Sequence, residues 1–383
     1  MESTTFNIPR EKTLQKIASS LQLIAVNQAS EKITANDWNT VQQIVRSGMA
    51  AEVFPIGTQL KVEHAIYNTI IMDVVAHDYD KDPKGEFEHS MTLLSHDLVL
   101  NSIQFDNTEA LYYCETELAA GTYNFTLPAE YDTEHGGGKT YQFTLANAVP
   151  AGGVITYPWN WNVQASVVKV STYKTNADTV AIETVSVAEG NAGTSLGTAD
   201  GKTTNMNQIQ RARFGSNNWK ESAIRQALNS DKEKGTYWKP QTKFDRPPSW
   251  NTTLDGFMKG CPAEFLAICK AVSHKCKTNN VYEVSDTLSN TYECVDTFYF
   301  PSYSEIFGGS ENNIVDGEQY KYFKNAVNVD RIKYNSARAA YTWWLRSCTP
   351  HDAGTVRSVS SDGTLNNYTA YNACGAAVAC TLH

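Results

Sequence analysis

Apolar positions recur at helical spacing over residues 11 to 27, where Leu14, Ile17, Ala18, Leu21 and Ile24 share one face; the spacing predicts an amphipathic helix. A second helical pattern follows, with Trp38, Val41, Ile44 and Val45 on one face and Gly48 placed to end it. Together these predict an N-terminal helical arm over residues 1–50, either a cap on the next domain or an oligomerisation or docking element. From Val53 the period falls to two. Residues 57–62 alternate, 70–75 form a run of the buried-strand kind and 91–94 another, so residues 51–108 are assigned as opening strands. A Thr-, Gly- and Tyr-rich stretch over residues 109–200 offers short strands at 140–145, 166–171 and 179–187, with glycine clusters at 136–138 and 190–193 as turns, and predicts a β-rich insertion.

Helices return in residues 201–383. Asn218 and Glu221 have capping-box spacing ahead of a stripe of Trp219, Ala223, Ile224, Ala227 and Leu228. Pro262 opens a second helix with Phe265, Leu266, Ile268, Cys269 and Val272 inside and Lys270, His274 and Lys275 toward its end. Ser302, Glu305 and Gly308 mark a short third one. From Tyr341 onward the pattern reads as short strands and exposed loops, and no solenoid-type repeat is present.

Composition narrows the function. At 41% apolar residues, the 383-residue chain has material for a substantial core. A formal charge of −9 without a cluster of Lys and Arg excludes nucleic acid as the partner. No apolar stretch is long enough to span a bilayer, and Met1 to Asn7 lack the basic start and apolar core of a secretory signal. The eight cysteines form no C-x-x-C pair, so they read as free thiols, with a Cys374–Cys380 bridge as the alternative. Asp78, Asp80 and Asp82 lack the Gly and distal Glu of an EF-hand in register and read as a solvated turn. No nucleophile elbow, zinc-protease helix or phosphate loop appears; the expectation is a protein without catalytic residues, metal or cofactor.

The closing segment is the informative one. Residues 345–383 contain no Lys, Glu, Gln, Met or Trp, although Lys and Glu are among the commonest residues of soluble domains. The residue types that do occur there can all be reached from an AAC codon by changing only its adenines. Trp343-Trp344-Leu345-Arg346-Ser347, followed by Ala353, Val356-Arg357, Val359, Ser361-Asp362-Gly363, Leu365, Ala370 and Gly375-Ala376-Ala377, resembles the variable repeat of proteins diversified by diversity-generating retroelements. In that family, adenine-mutating reverse transcription rewrites Asn codons at the 3′ end of the gene. The run Asn218-Trp219 to Leu228-Asn229-Ser230 resembles the family's first core helix, Phe300-Pro301-Ser302-Tyr303-Ser304-Glu305 a landmark before the variable part, and residues 54–94 its opening strands.

The resemblance implies an α+β, C-type lectin-like (formylglycine-generating-enzyme-like) fold, with a variable region over 341–383. The ligand-contacting, variable positions it implies are Thr349, His351, Asp352, Gly354, Thr355, Ser358, Ser360, Tyr368, Thr369, Tyr371, Asn372 and Cys374, with Cys348, Asn366 and Asn367 less firmly placed. Tyr368 and Tyr371 would be aromatic anchors, His351 and Asp352 the charged or switchable contacts, and small polar residues adaptable hydrogen-bonders. Trp343 and Trp344 are assigned to the core. The implied partner is a protein or glycan receptor on a host cell surface, with homo-oligomer or virion contacts through the N-terminal helices. The implied setting is a phage virion tail, where lysis rather than a signal peptide releases the binder, with the cell surface as the alternative. Competing readings are a calcium-independent carbohydrate-binding lectin-like protein and a formylglycine-generating-type enzyme using Cys374 and Cys380. The calcium-dependent lectin motif has its nearest approach in residues 159–162, in the wrong segment.

Overall fold

Strand β1 (Gln59–His64) alternates exposed and buried along its whole length, as a strand with one solvated face must. It pairs antiparallel with β2 (Asn68–His77), which from Ile70 to Ala76 is apolar on both faces except for Asp73 and is largely buried. These elements belong to a computed structural model that describes residues 37–80, 82–114, 116–126, 140–145, 147–151, 153–156, 169–176, 179–185, 187–188, 206–242, 244–278, 290–310, 315–350 and 352–383. The helix expected over residues 11–27, the glycine turns at 136–138 and 190–193, residues 159–162 and His351 lie outside the described residues.

The protein is of mixed α+β class, mostly β, with few and short helices. Its first large sheet runs β1-β2-β3-β22-β12, with β3 at Met91–Ser95, β12 at Cys269–Lys270 and β22 at Ala379–Leu382; β15 (Phe298–Tyr299) also pairs with β22. The last strand in sequence thus sits inside this sheet, against β3 on one side. The second sheet runs β20-β19-β18-β21-β4, made from β4 (Leu100–Gln104), β18 (Trp343–Cys348), β19 (Thr355–Val359), β20 (Leu365–Thr369) and β21 (Ala373–Ala376). Only β18 and β21 run parallel in it, with Trp343 opposite Gly375.

The stretch after β4 forms two small sheets of its own. One orders β10 (Thr179–Val185), β9 (Lys169–Asn176), β8 (Gly153–Thr156) and β5 (Ala110–Tyr113); the other orders β11 (Val187–Ala188), β7 (Thr140–Leu145) and β6 (Gly121–Thr126). Hairpins of β13 (Val272–Thr278) with β14 (Asn290–Asp296) and β16 (Lys333–Tyr334) with β17 (Ala340–Tyr341) complete the strands.

Helix α1 (Trp38–Arg46) buries Trp38, Val41, Ile44 and Val45, is capped by the Asp37 carboxylate on the Thr40 N–H, and stops before Gly48 at φ +74°. A short α2 (Ala50–Val53) follows it. Later come α3 (Met206–Phe214), α4 (Ala223–Leu228), α5 (Ala263–Ile268) and α6 (Tyr303–Phe307). The core gathers Phe105, Trp219, Phe300 and Trp344 into one aromatic cluster, with Trp344 edge-on to Phe105 at 5.7 Å and Trp219 5.3 Å from Phe300. Both Trp343 and Trp344 are fully buried.

Three local expectations are corrected. Ser222, not Asn218, caps α4, its hydroxyl accepting the Arg225 N–H, while Asn218 Oδ1 accepts the Lys220 N–H in the preceding turn and the Glu221 carboxylate lies 2.5 Å from Arg211. The helix opened by Pro262 ends at Ile268, and residues 272–278 form a strand in which Val272, His274 and Cys276 alternate inward. Its apolar positions fit periods of both two and 3.6, and pairing with β14 decides for the strand. Asp80 is not in a solvated turn: it is buried and accepts hydrogen bonds from Thr92 Oγ1 (2.5 Å), Tyr299 OH (3.1 Å) and Thr381. All eight cysteines are free thiols.

Candidate ligand-binding face

The face is built on a rigid frame. Strand β18 is buried along its whole length. Its Arg346 guanidinium donates from Nη1 to Glu305 Oε2 at 2.6 Å and from Nη2 to Glu305 Oε1 at 2.7 Å, a bidentate pair. The same two nitrogens donate to the carbonyls of Phe300 and Asp316, each at 2.9 Å. Glu305 is presented by the capping box of α6: Ser302 Oγ accepts the Glu305 N–H at 3.2 Å and Glu305 Oε2 accepts the Ser302 N–H at 2.7 Å. Ser347, the next residue of β18, accepts the Tyr303 N–H at 2.7 Å and donates to Asp316. Two motifs whose paired residues lie 41 positions apart in sequence are therefore one structural unit.

The loops after β18 are held from below by α3 and the residues following it. Asn217 Nδ2 donates to the carbonyls of Asp352 (2.5 Å) and Thr355 (3.0 Å), Gln210 Oε1 accepts the Ala353 N–H at 2.7 Å, and the Tyr371 N–H donates to Phe214 O at 2.8 Å. Helix α3 is pinned by buried Arg211, which donates from Nε to both oxygens of Glu109 at 3.0 Å. Burial pushes the Glu109 carboxyl up to about 7 against the pull of Arg211, and burial with neighbouring Asp245 and Glu109 raises Asp106 as well. Sequence reading missed Gln210, Asn217 and Asp316. Each is an ordinary polar residue whose role exists only once distant segments meet.

On this frame the candidate residues separate into two groups. Tyr368 is 37% exposed on β20, and Thr349, Asp352, Ser360, Thr369, Tyr371 and Asn372 are partly exposed on the loops and strand ends around it. Asn367 is exposed and Asn366 partly so. Four expected contacts lie inside instead: Gly354, Thr355, Ser358 and Cys374 are all buried. The cause is register and close packing. Ser358 pairs with Trp344 across β18 and β19, and Cys374 pairs with Ile103 of β4, where burial pushes its thiol up to about 12. Gly354 is pressed against α3, where a Cβ would lie 2.7 Å from that of Phe214. Cys348 is buried too, and His351 is outside the described residues.

The exposed set is neutral apart from Asp352, whose carboxylate accepts the Gly354 N–H at 2.7 Å and the Thr355 hydroxyl within its own loop. Such a face offers hydrogen bonds and aromatic area. Among the described residues, no group of three or more His, Cys, Asp and Glu could hold a metal ion.

No curated protein and no solved structure matches the chain. A family model does match, over residues 179–383, a span that takes in α3, the α6 landmark, the buried frame and the whole candidate face. As that span is more than half of the sequence, the chain belongs to the family described as "Domain of unknown function (DUF6273)".

Proposed function

We propose that the protein is a ligand- or receptor-binding protein of C-type lectin-like fold whose C-terminal segment is a hypervariable surface diversified by a retroelement. The observation that carries the reading is the division of residues 343–383 into a locked frame and an exposed rim. Arg346 and Glu305, 2% and 1% exposed, tie the frame to α6, so the backbone under the rim is specified by groups that make no part of the rim itself. The side chains at Thr349, Ser360, Tyr368, Thr369, Tyr371 and Asn372 can then change without a large loss of packing, and Asp352 at the cost of its hydrogen bonds to the Gly354 N–H and the Thr355 hydroxyl. The codon-restricted composition of residues 345–383 supports the same reading independently of the fold. The buried Gly354, Thr355, Ser358 and Cys374 act with the frame, and the binding surface is the exposed remainder.

The partner proposed is a protein or glycan receptor on a host cell, met through Tyr368 and Tyr371 with small polar neighbours, and the setting a phage virion tail. The activity is binding without a metal or cofactor. Sequencing the 3′ end of the gene across the population that carries it tests the proposal. Substitutions concentrated at the seven exposed codons, beside a template repeat and a reverse transcriptase gene, are the expected result. An invariant tail, or substitutions spread equally over Arg346, Ser347 and the exposed codons, would overturn it.

A further inference from the structure

Among the described residues, the strand that carries Tyr368 is a sheet edge. β20 ends the order β20-β19-β18-β21-β4, with no strand beyond it among the described residues. Its register on β19 sets which backbone groups face outward. The Ser360 N–H donates to Thr364 O at 2.8 Å and the Ala370 N–H to Gly354 O at 2.9 Å, so the intervening bonded pairs are Ser358 with Asn366 and Val356 with Tyr368. The backbone groups of Leu365, Asn367 and Thr369 therefore point away from the sheet. Two of these are already engaged locally: the Asn367 N–H donates to its neighbour Asn366 Oδ1 at 2.8 Å, and Thr369 O accepts the Asn372 N–H at 2.9 Å. Among the described residues, the Leu365 N–H and C=O, the Asn367 C=O and the Thr369 N–H have no hydrogen-bonding partner.

Edges of this kind are normally blocked by Lys, Pro, a bulge or a covering segment. β20, with the sequence Leu-Asn-Asn-Tyr-Thr, has no charge and no proline, and its register on β19 runs without a shift. Apolar surface adjoins the same hairpin. Gly363 at its turn is packed on the Asn328 carbonyl, and the flanking Val327 and Val329 are 61% and 67% exposed.

We infer that β20 binds its partner by strand addition: an extended polypeptide segment of a target protein pairs with the Leu365 N–H and C=O, the Asn367 C=O and the Thr369 N–H. The inference rests on the reading of this face as the binding surface, and it names the partner as protein rather than glycan. Backbone pairing supplies affinity that is independent of side chains, while side chains on alternate positions select the sequence. A face whose side chains change from variant to variant thereby keeps a constant anchor.

Asn367→Pro isolates the edge. Asn367 makes no ladder bond to β19, its N–H is bonded only to Asn366 Oδ1, and proline is tolerated on an edge strand, where its ring stands on the outward side and blocks an incoming strand. The full chain, Asn367→Pro, Asn367→Lys and Tyr368→Ala are each panned against a random twelve-residue peptide library, with circular dichroism melting as the folding control and light scattering for mass. The expected result is that peptides captured by the full chain bind both Asn367 variants roughly tenfold or more weakly, the equivalent of one or two hydrogen bonds, at unchanged fold. Undiminished binding by Asn367→Pro together with loss in Tyr368→Ala would overturn strand addition while leaving the face intact. Undiminished binding by all three variants, or no peptide captured at all, would overturn strand addition too, the former with the face reading. A drop in mass per particle on Asn367→Pro would show that a second copy of the chain occupies the edge, and would also overturn it. Should Asn367→Pro melt early, captured peptides N-methylated at alternate residues decide the matter: loss of binding on one alternation and not on the other is the expected result, and equal binding by every N-methylated peptide would overturn strand addition.

Discussion

Replacing Arg346 with Met keeps an unbranched side chain in the core and deletes the guanidinium, which makes it the sharpest probe of the frame. In the native chain that group makes four hydrogen bonds, two to Glu305 and one each to the carbonyls of Phe300 and Asp316. Without it the Glu305 carboxylate, 1% exposed, retains only the Ser302 N–H at 2.7 Å and the Tyr79 hydroxyl at 3.2 Å. Removing one partner of a buried ion pair typically costs about 3–5 kcal/mol, because the other charge stays desolvated. Two orphaned carbonyls place the expected loss toward the upper end of that range. Urea unfolding followed by tryptophan fluorescence reads it directly, since Trp343 and Trp344 precede Arg346 in the same buried strand. Glu305→Gln should be destabilising as well. In the double variant the two losses should fall short of their sum by roughly 2 kcal/mol, as two groups in one network require. A loss below about 1 kcal/mol for Arg346→Met, or additive losses in the double variant, would refute the claim that this pair fixes the frame.

Three further outcomes follow from the geometry. Gly363→Ala should cost more than about 2 kcal/mol and disrupt the β19–β20 turn, because φ is +81° and the added Cβ would collide with Asn328 O; thermal melting checks it. Tyr368→Ala should leave stability within about 0.5 kcal/mol of the parent, whereas Ser358→Asn, at a fully buried position facing Trp344, should destabilise by roughly 1–3 kcal/mol, and equal effects at the two sites would contradict the division into rim and frame. Burial pushes Asp80 up to about 6 from 3.8. Its protonated form is therefore favoured by folding: this contribution is complete below the unfolded value and is lost as pH rises through about 6, removing about 3 kcal/mol by pH 8. Buried Glu109 titrates in the same direction, so the test is the difference between parent and Asp80→Asn, which should flatten over that window; parallel stability–pH curves would count against it.

Patterns that depend on neighbours along the chain are legible in the amino-acid sequence by itself. The alternation in β1, the buried run of β2, the apolar stripe of α1 with Gly48 behind it and the Ser302–Glu305 capping box all follow from short-range periodicity and capping chemistry. Composition likewise marks residues 345–383 as unusual, since the absence of Lys, Glu, Gln, Met and Trp is visible in the amino-acid sequence itself. Tertiary packing decided the rest. It turned residues 272–278 from helix to strand, paired Glu221 with Arg211 while Ser222 caps α4, and buried Asp80 among three hydroxyls from other segments. It also divided the candidate face, because whether a small polar residue such as Ser358 or Thr369 looks outward depends on which strands and helices cover it. Residue type cannot carry that information: Ser, Thr, Gly and Cys are small enough to sit on either side of a sheet, so the sequence named the segment and the packing of Trp344, Ile103 and Phe214 chose the residues.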